Sequence, residues 1–252
     1  MEDKDGLTPL DQIIVHCYYY MQMHMVSGYH LFRSGMQKHG LRYLTNLVFV
    51  DFGCGPLTAG LSLAWYSLTF NRNHVSGNGL FFRYIGIDRS QAMLSHAEDA
   101  WAAAGGLFHK NSTRDLLTVE DAPKAIPRLI TKYRRAKQEL TVVLNCSYFF
   151  GSHSLKVAEV VTFISDLLTK HLAHDKVCLA FQNPCHSEPN EKWEIFTSSM
   201  SRLLTSIPNA NVSETLYYHD VTGKALQGNP HRIQLRRDLL LNNVWKERLE
   251  KE

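Results

Sequence analysis

Val48-Phe49-Val50-Asp51-Phe52-Gly53-Cys54-Gly55-Pro56-Leu57-Thr58-Ala59-Gly60 is the stretch whose reading decides the fold. Leu47 to Val50 is a short β-branched and aromatic run, the composition of a buried strand. It leads into an acid and then two glycines one residue apart, and the residues from Thr58 to about Phe70 read as a helix. Glycine lets the chain turn sharply and lets a ligand approach the backbone. In an open α/β sheet such a turn lies in the crevice at the carboxyl ends of the strands, where ligands bind. A three-glycine dinucleotide fingerprint would need glycine where Thr58 stands, and Gly60 comes two residues too late. A nicotinamide oxidoreductase is therefore the weaker reading.

Downstream, Phe81 to Ile87 forms a second strand that ends at Asp88. Ser90 is a good N-cap for a helix through Trp101, which Gly105-Gly106 closes. A carboxylate at Asp88 can accept hydrogen bonds from both hydroxyls of a ribose. A third strand is expected at Gly106–Lys110, then a helix at Pro127–Lys137, a strand at Leu140–Leu144 and a helix at Ser154–His174. A strand at Lys176–Phe181, a helix from Pro189 to about Thr205, and strands at Val212–Val221 and Arg232–Leu241 complete the chain. Upstream, Pro9 to about Lys38 reads as a helix with Ile14, Tyr18, Met21, Met25, Tyr29 and Phe32 on one apolar face. A bend or a split is expected at Gly28, and the stripe reads as core before lid. Strand–helix alternation predicts a Rossmann-like three-layer α/β sandwich. Its mostly parallel seven-stranded sheet would have an antiparallel final strand. A helical cap over residues 1–44 would precede one continuous domain over 45–252.

The 252 residues are 44% hydrophobic and 20% charged, enough for one domain with a real core. A net charge of +3 is too mild to point to nucleic acid by itself. Lys132–Lys137 and Arg236-Arg237 read as solvated faces. The five cysteines (Cys17, Cys54, Cys146, Cys178 and Cys185) are odd in number and widely spaced, which favours reduced thiols. The opening MEDKDGLTPLDQ lacks the features of a secretion signal, and no apolar run is long enough to span a membrane. A cytoplasmic protein without a membrane partner is expected. His171, His174, Cys178, Cys185 and His186 do not form a compact ligand knuckle, so no metal is expected.

VDFGCGPLTAG and YIGIDRSQAML, in this order on these elements, resemble motifs I and II of class I S-adenosylmethionine-dependent methyltransferases. The resemblance covers roughly Leu47 to Phe181, with a looser tail. It implies that Gly53 and Gly55 pack against the methionine part of the cofactor and that Asp51 orients its amino group. Asp88 would hold the ribose, Arg89 and Met93 would flank the adenine, and Asn111 and Ser112, after the third strand, would meet the adenine edge. Asn145, Cys146 and Ser147 match the position beside the transferred methyl group. Asn145-Cys146-Ser147-Tyr148 lacks both prolines of the Asn-Pro-Pro-Tyr signature of amino-methylating nucleic-acid enzymes. Asn145, Tyr148 and His153 are the acceptor-side candidates, with His186 a further candidate base. A small-molecule acceptor is favoured over RNA. A non-catalytic S-adenosylmethionine sensor or partner subunit is the alternative from another class.

Overall fold

The computed structural model describes residues 6–36, 47–71, 80–134, 139–185, 190–207, 212–219 and 230–249. It opens on one helical run made of α1 (Pro9–His16) and α2 (Gln22–His30), each continued by a π turn, Cys17–Met21 and Leu31–Met36. Thr8 caps the start by accepting from the Asp11 N–H, while the Asp11 carboxylate accepts from the Thr8 N–H. Then β1 (Leu47–Phe52) leads to α3 (Thr58–Asn71), and β2 (Phe82–Asp88) to α4 (Gln91–Ala103). β3 (Thr113–Thr118) leads to α5 (Ala122–Tyr133), and β4 (Thr141–Asn145) to α6 (Val157–Asp166). β5 (Lys176–Pro184) precedes α7 (Glu191–Met200). The chain closes on β6 (Leu204–Ser206), β7 (Val212–Tyr218), β8 (His231–Asn242) and α8 (Asn243–Leu249).

The sheet order is β3-β2-β1-β4-β5-β8-β6, with β7 also paired to β8. β1 to β5 are parallel, and β8 runs antiparallel to β5, β6 and β7. This is a mostly parallel, Rossmann-like α/β sandwich. The order reverses beside β1, whose neighbours are β2 and β4, and this switch point opens a crevice at the carboxyl ends of the strands. β1 and β4 are buried on both faces, and their runs Leu47–Val50 and Val142–Leu144 are apolar. Val48 and Val50 face one layer with Ile126, Ile164 and Trp193, while Phe49 faces the other with Phe32, Leu61 and Trp101.

Several boundaries differ from the sequence expectation. Gly106–Lys110 is no strand: Gly105–Leu107 is a 3-10 turn, and Phe108 stacks on Trp101 with ring centroids 3.8 Å apart. The apolar pair Leu107-Phe108 suggested a strand, but Phe108 is apolar because it serves this tertiary contact. The true β3 is a half-buried edge strand with polar residues interleaved. Among the described residues the sheet has eight strands, because Leu204–Ser206, at the end of the expected helix, pairs with the end of β8. α5 starts five residues before Pro127 and ends at Tyr133; residues 135–138 lie outside the described residues. The helix expected at Ser154–His174 starts at Val157 and continues past α6 as a π turn, Leu167–His171, leaving Ser154 in the loop after β4.

The N-terminal face is also displaced. Ile13 is 1% exposed where Ile14 was expected inside, and Ile14 and Tyr18 are exposed. Met21 and Met25 are partly buried, and Tyr29 and Phe32 join the core. A π turn holds an extra residue relative to α-helical register, so the apolar face rotates across Cys17–Met21. Gly28 does not break α2. A Cβ there would lie 2.7 Å from Ser62 Oγ and 2.9 Å from its Cβ, so glycine lets α2 lie close on α3.

Candidate active site

The turn after β1 takes the shape its glycines permit. Gly53 and Gly55 have φ of 68° and 51°, in the left-handed region. The Cys54 N–H donates to the Ile87 carbonyl at 2.9 Å, and the Gly55 N–H to Asp88 Oδ2 at 3.0 Å. The Ser90 N–H donates to Asp88 Oδ1 at 2.8 Å. The end of β2 and the turn after β1 are thus locked together by one carboxylate. Each Asp88 oxygen has two lone-pair positions, so these bonds leave acceptor capacity facing the cleft. A Cβ on Gly55 would meet nothing within 4 Å, so the space above that backbone is open.

Beneath the turn lies a buried polar floor. The Asp51 carboxylate, 2% exposed, accepts from the Tyr84 hydroxyl at 2.6 Å and from Asn145 Nδ2 at 2.7 Å. Ser147 Oγ in turn donates to Asn145 Oδ1 at 2.7 Å. Burial pushes the Asp51 pKa up to about 6, although both hydrogen bonds pull the other way. The Asn145 amide is therefore engaged at both ends, holding Asp51 and the start of the loop after β4.

α2 roofs the cleft and is pinned to the sheet. The Ser27 hydroxyl lies 2.7 Å from the Tyr148 hydroxyl and donates to the His24 carbonyl at 3.0 Å. The Gln182 amide of β5 comes within 3.2 Å of the same hydroxyl. The Tyr148 ring stacks on His24 with centroids 3.7 Å apart. Tyr148 takes φ of 61°, unusual for a residue with a Cβ, and the Ser27 and Gln182 contacts hold it there. Burial raises the Tyr148 phenol well above the ordinary tyrosine range, so it stays protonated. Burial lowers the His24 imidazole to about 3 and also lowers His16, where Asp88 opposes the shift.

Floor, turn and roof enclose a cavity of about 1240 Å³. Of the residues singled out from sequence, Asp51, Gly53, Gly55, Asp88, Arg89, Met93, Asn145, Ser147 and Tyr148 line it, while Cys146 is buried in the core. Asn111 and Ser112 do not. They precede β3 instead of following it, so they sit at the amino ends of the parallel strands, where Ser112 Oγ accepts from the Phe82 N–H. The residues that do follow β3 and line the cavity are Val119, Glu120, Ala122 and Pro123. His153 is exposed and does not line the cavity; its carbonyl accepts from Lys192 Nζ at 2.9 Å. His186 lies outside the described residues. His16, His24 and Gln182 line the cavity and were not singled out as site residues. The π turn between the two histidines and the long chain separation of Gln182 from α2 hid their convergence from sequence.

Solved structures with a similar fold include a S-adenosylmethionine-dependent methyltransferase from Aquifex aeolicus, 13% identical, covering 94% of this chain and 100% of that one, with a TM-score of 0.44. Magnesium protoporphyrin IX methyltransferase from Synechocystis, with bound S-adenosylmethionine, is 13% identical over 96% and 87% of the two chains, with a TM-score of 0.41. A S-adenosylmethionine-dependent methyltransferase from Leishmania major is 9% identical over 90% and 75%, with a TM-score of 0.43. These likenesses concern the fold. No protein-family model matches the sequence, and no curated protein matches it. Among the described residues no helix is long and apolar enough to cross a membrane.

Proposed function

We propose that the chain is an S-adenosylmethionine-dependent methyltransferase acting on a small-molecule acceptor. The observation that carries the reading is the Asp88 carboxylate, bonded to the Gly55 and Ser90 N–H groups, at the carboxyl edge of the sheet beside a glycine turn whose surface is open. The residues present fit the cofactor. Asp88 has acceptor capacity for two ribose hydroxyls, Gly55 leaves room for the methionine part beside the turn that Gly53 permits, and Met93 offers an apolar wall to the adenine. Val119 and Glu120 take the adenine-edge position first given to Asn111 and Ser112. Clefts that bury one small molecule measure about 300–1,000 Å³. The larger cavity here suits a cofactor and a compact acceptor together.

When bound, S-adenosylmethionine supplies an electrophilic methyl group on a sulfonium. The chain's own residues contribute alignment and exclusion of water. The Asp51–Asn145–Ser147 network fixes the floor, and the Ser27–Tyr148 bond fixes the roof. Asn145 and Tyr148 are positioning residues in this scheme, since their polar ends are occupied by protein partners.

Calorimetry with S-adenosylhomocysteine, followed by labelled methyl transfer to a small-molecule fraction and to an RNA fraction of a cell extract, tests the proposal. Binding with transfer to the small-molecule fraction is expected. Transfer to RNA alone replaces the acceptor class, and binding without transfer favours the sensor. No binding sinks the cofactor assignment.

A further inference from the structure

We infer that the roof of the cleft is the acceptor's recognition surface, and that it selects an uncharged planar ring bearing an O–H or N–H donor. The inference rests on the methyltransferase reading for what fills the other half of the cleft. His16 and His24 stand eight positions apart, about 12 Å of α-helical rise. Yet their ring centroids lie 6.0 Å apart, and both rings line the cavity. The π turn Cys17–Met21 sits between them, and single π turns inserted into helices occur frequently at functional sites.

The two imidazoles belong to a wall of rings. Tyr20 lies 5.6 Å from His16 and 6.2 Å from His24, and Tyr148 stacks on His24. Tyr20 backs the two imidazoles from outside the cavity, while His16, His24, Tyr148 and Phe149 line it and offer faces and edges to a flat ligand. The polar groups of this wall are uncharged. Each neutral imidazole carries one nitrogen acceptor, while the Gln182 amide is committed to Ser27. The Tyr148 hydroxyl is already engaged with Ser27.

Among the described residues that line the cavity, an anionic acceptor would find no buried positive group, and a cationic one no buried carboxylate that is not already held by protein partners. Arg89 and Lys156 are the cavity's lysine and arginine residues. Both are exposed, with Arg89 bonded to Ser154 and Lys156 paired with Glu159 at 2.9 Å. Of the carboxylates, Asp51 and Asp88 are held in the floor and the turn, and Glu120 and Glu159 are exposed, Glu159 in its pair with Lys156. An ionised acceptor would lose hydration under the roof without an opposite charge to replace it.

The test uses the full chain with isotope-labelled histidine, saturated with S-adenosylhomocysteine and titrated near neutral pH with phenol, benzoate and benzylammonium. Phenol is expected to move the His16 and His24 resonances saturably, while the two ions leave them in place. His16→Leu is expected to weaken phenol about tenfold, the loss of one hydrogen bond. Retained S-adenosylhomocysteine binding shows that the variant is folded. The inference is overturned if either ion moves both histidines as strongly as phenol, if phenol moves neither, or if His16→Leu binds phenol like the parent. Should S-adenosylhomocysteine itself not bind, the proposed function fails instead. The same titrations without it still decide whether the roof prefers the neutral ring.

Discussion

Asp88 joins three things at one side chain: the end of β2, the glycine turn and the start of α4. Asp88→Ala removes charge-assisted acceptors from the ribose position, which is worth about 1.5–3 kcal/mol. Calorimetry should show S-adenosylhomocysteine binding about 10- to 150-fold weaker. Binding as tight as the parent's would falsify the ribose assignment. Tyr148→Phe tests a different residue. It deletes one neutral hydrogen bond and keeps the ring against His24, so a loss of about 1 kcal/mol in urea unfolding is expected with cofactor affinity intact. A variant as stable as the parent would show that Ser27 does not hold the loop through this hydroxyl. Asp88 was legible in sequence because its role is local: strand, acid and helix cap follow each other within a few residues. The Tyr148 environment was not legible, because Ser27 and His24 come from the far end of the chain.

Elements were read well where both faces of a strand are buried. β1, β4 and β5 announce themselves as continuous apolar runs, and the helix after the glycine turn follows from them. β3 was misplaced because an edge strand needs no such run, and β6 is too short to show any period. The roof was recognised as a helix, but its inward face was displaced because a π turn has no sequence signature in a periodicity count. What seats that helix is Gly28 against Ser62, whose hydroxyl also donates to the Met25 carbonyl at 3.1 Å. Alanine at position 28 gains about 1 kcal/mol of helix propensity over glycine. It also places a methyl group where Ser62 already stands, and overpacking of this kind costs about 1–3 kcal/mol. The clash is expected to win, so Gly28→Ala should lower the urea midpoint. Ser62→Gly in the same chain should restore it. If Gly28→Ala is stabilised instead, α2 is not held at this distance from α3.

At the scale of the whole molecule, two buried groups on opposite sides of the cleft oppose each other in acid. Asp51 titrates near 6 in the folded chain against an ordinary 3.8, because burial disfavours its charge. A carboxyl with a raised folded pKa stabilises the fold when protonated, and that contribution is lost as pH rises through about 6. His24 behaves in the other sense. Burial lowers it to about 3 from an ordinary 6.5, so its contribution is present above about pH 6.5 and is lost as pH falls. At about 1.4 kcal/mol per pH unit, acidification from pH 7 to pH 4 brings about 2–3 kcal/mol from Asp51 and removes about 3 kcal/mol through His24. The two nearly cancel, so these groups together leave stability almost flat over that range. Removing one should expose the other. In urea unfolding measured against pH, Asp51→Asn is expected to lose stability on acidification relative to the parent, and His24→Asn to gain it. If both variants track the parent from pH 7 to pH 4, the floor and the roof of the cleft are not buried as described. If only His24→Asn departs, the roof is seated but Asp51 is reached by water.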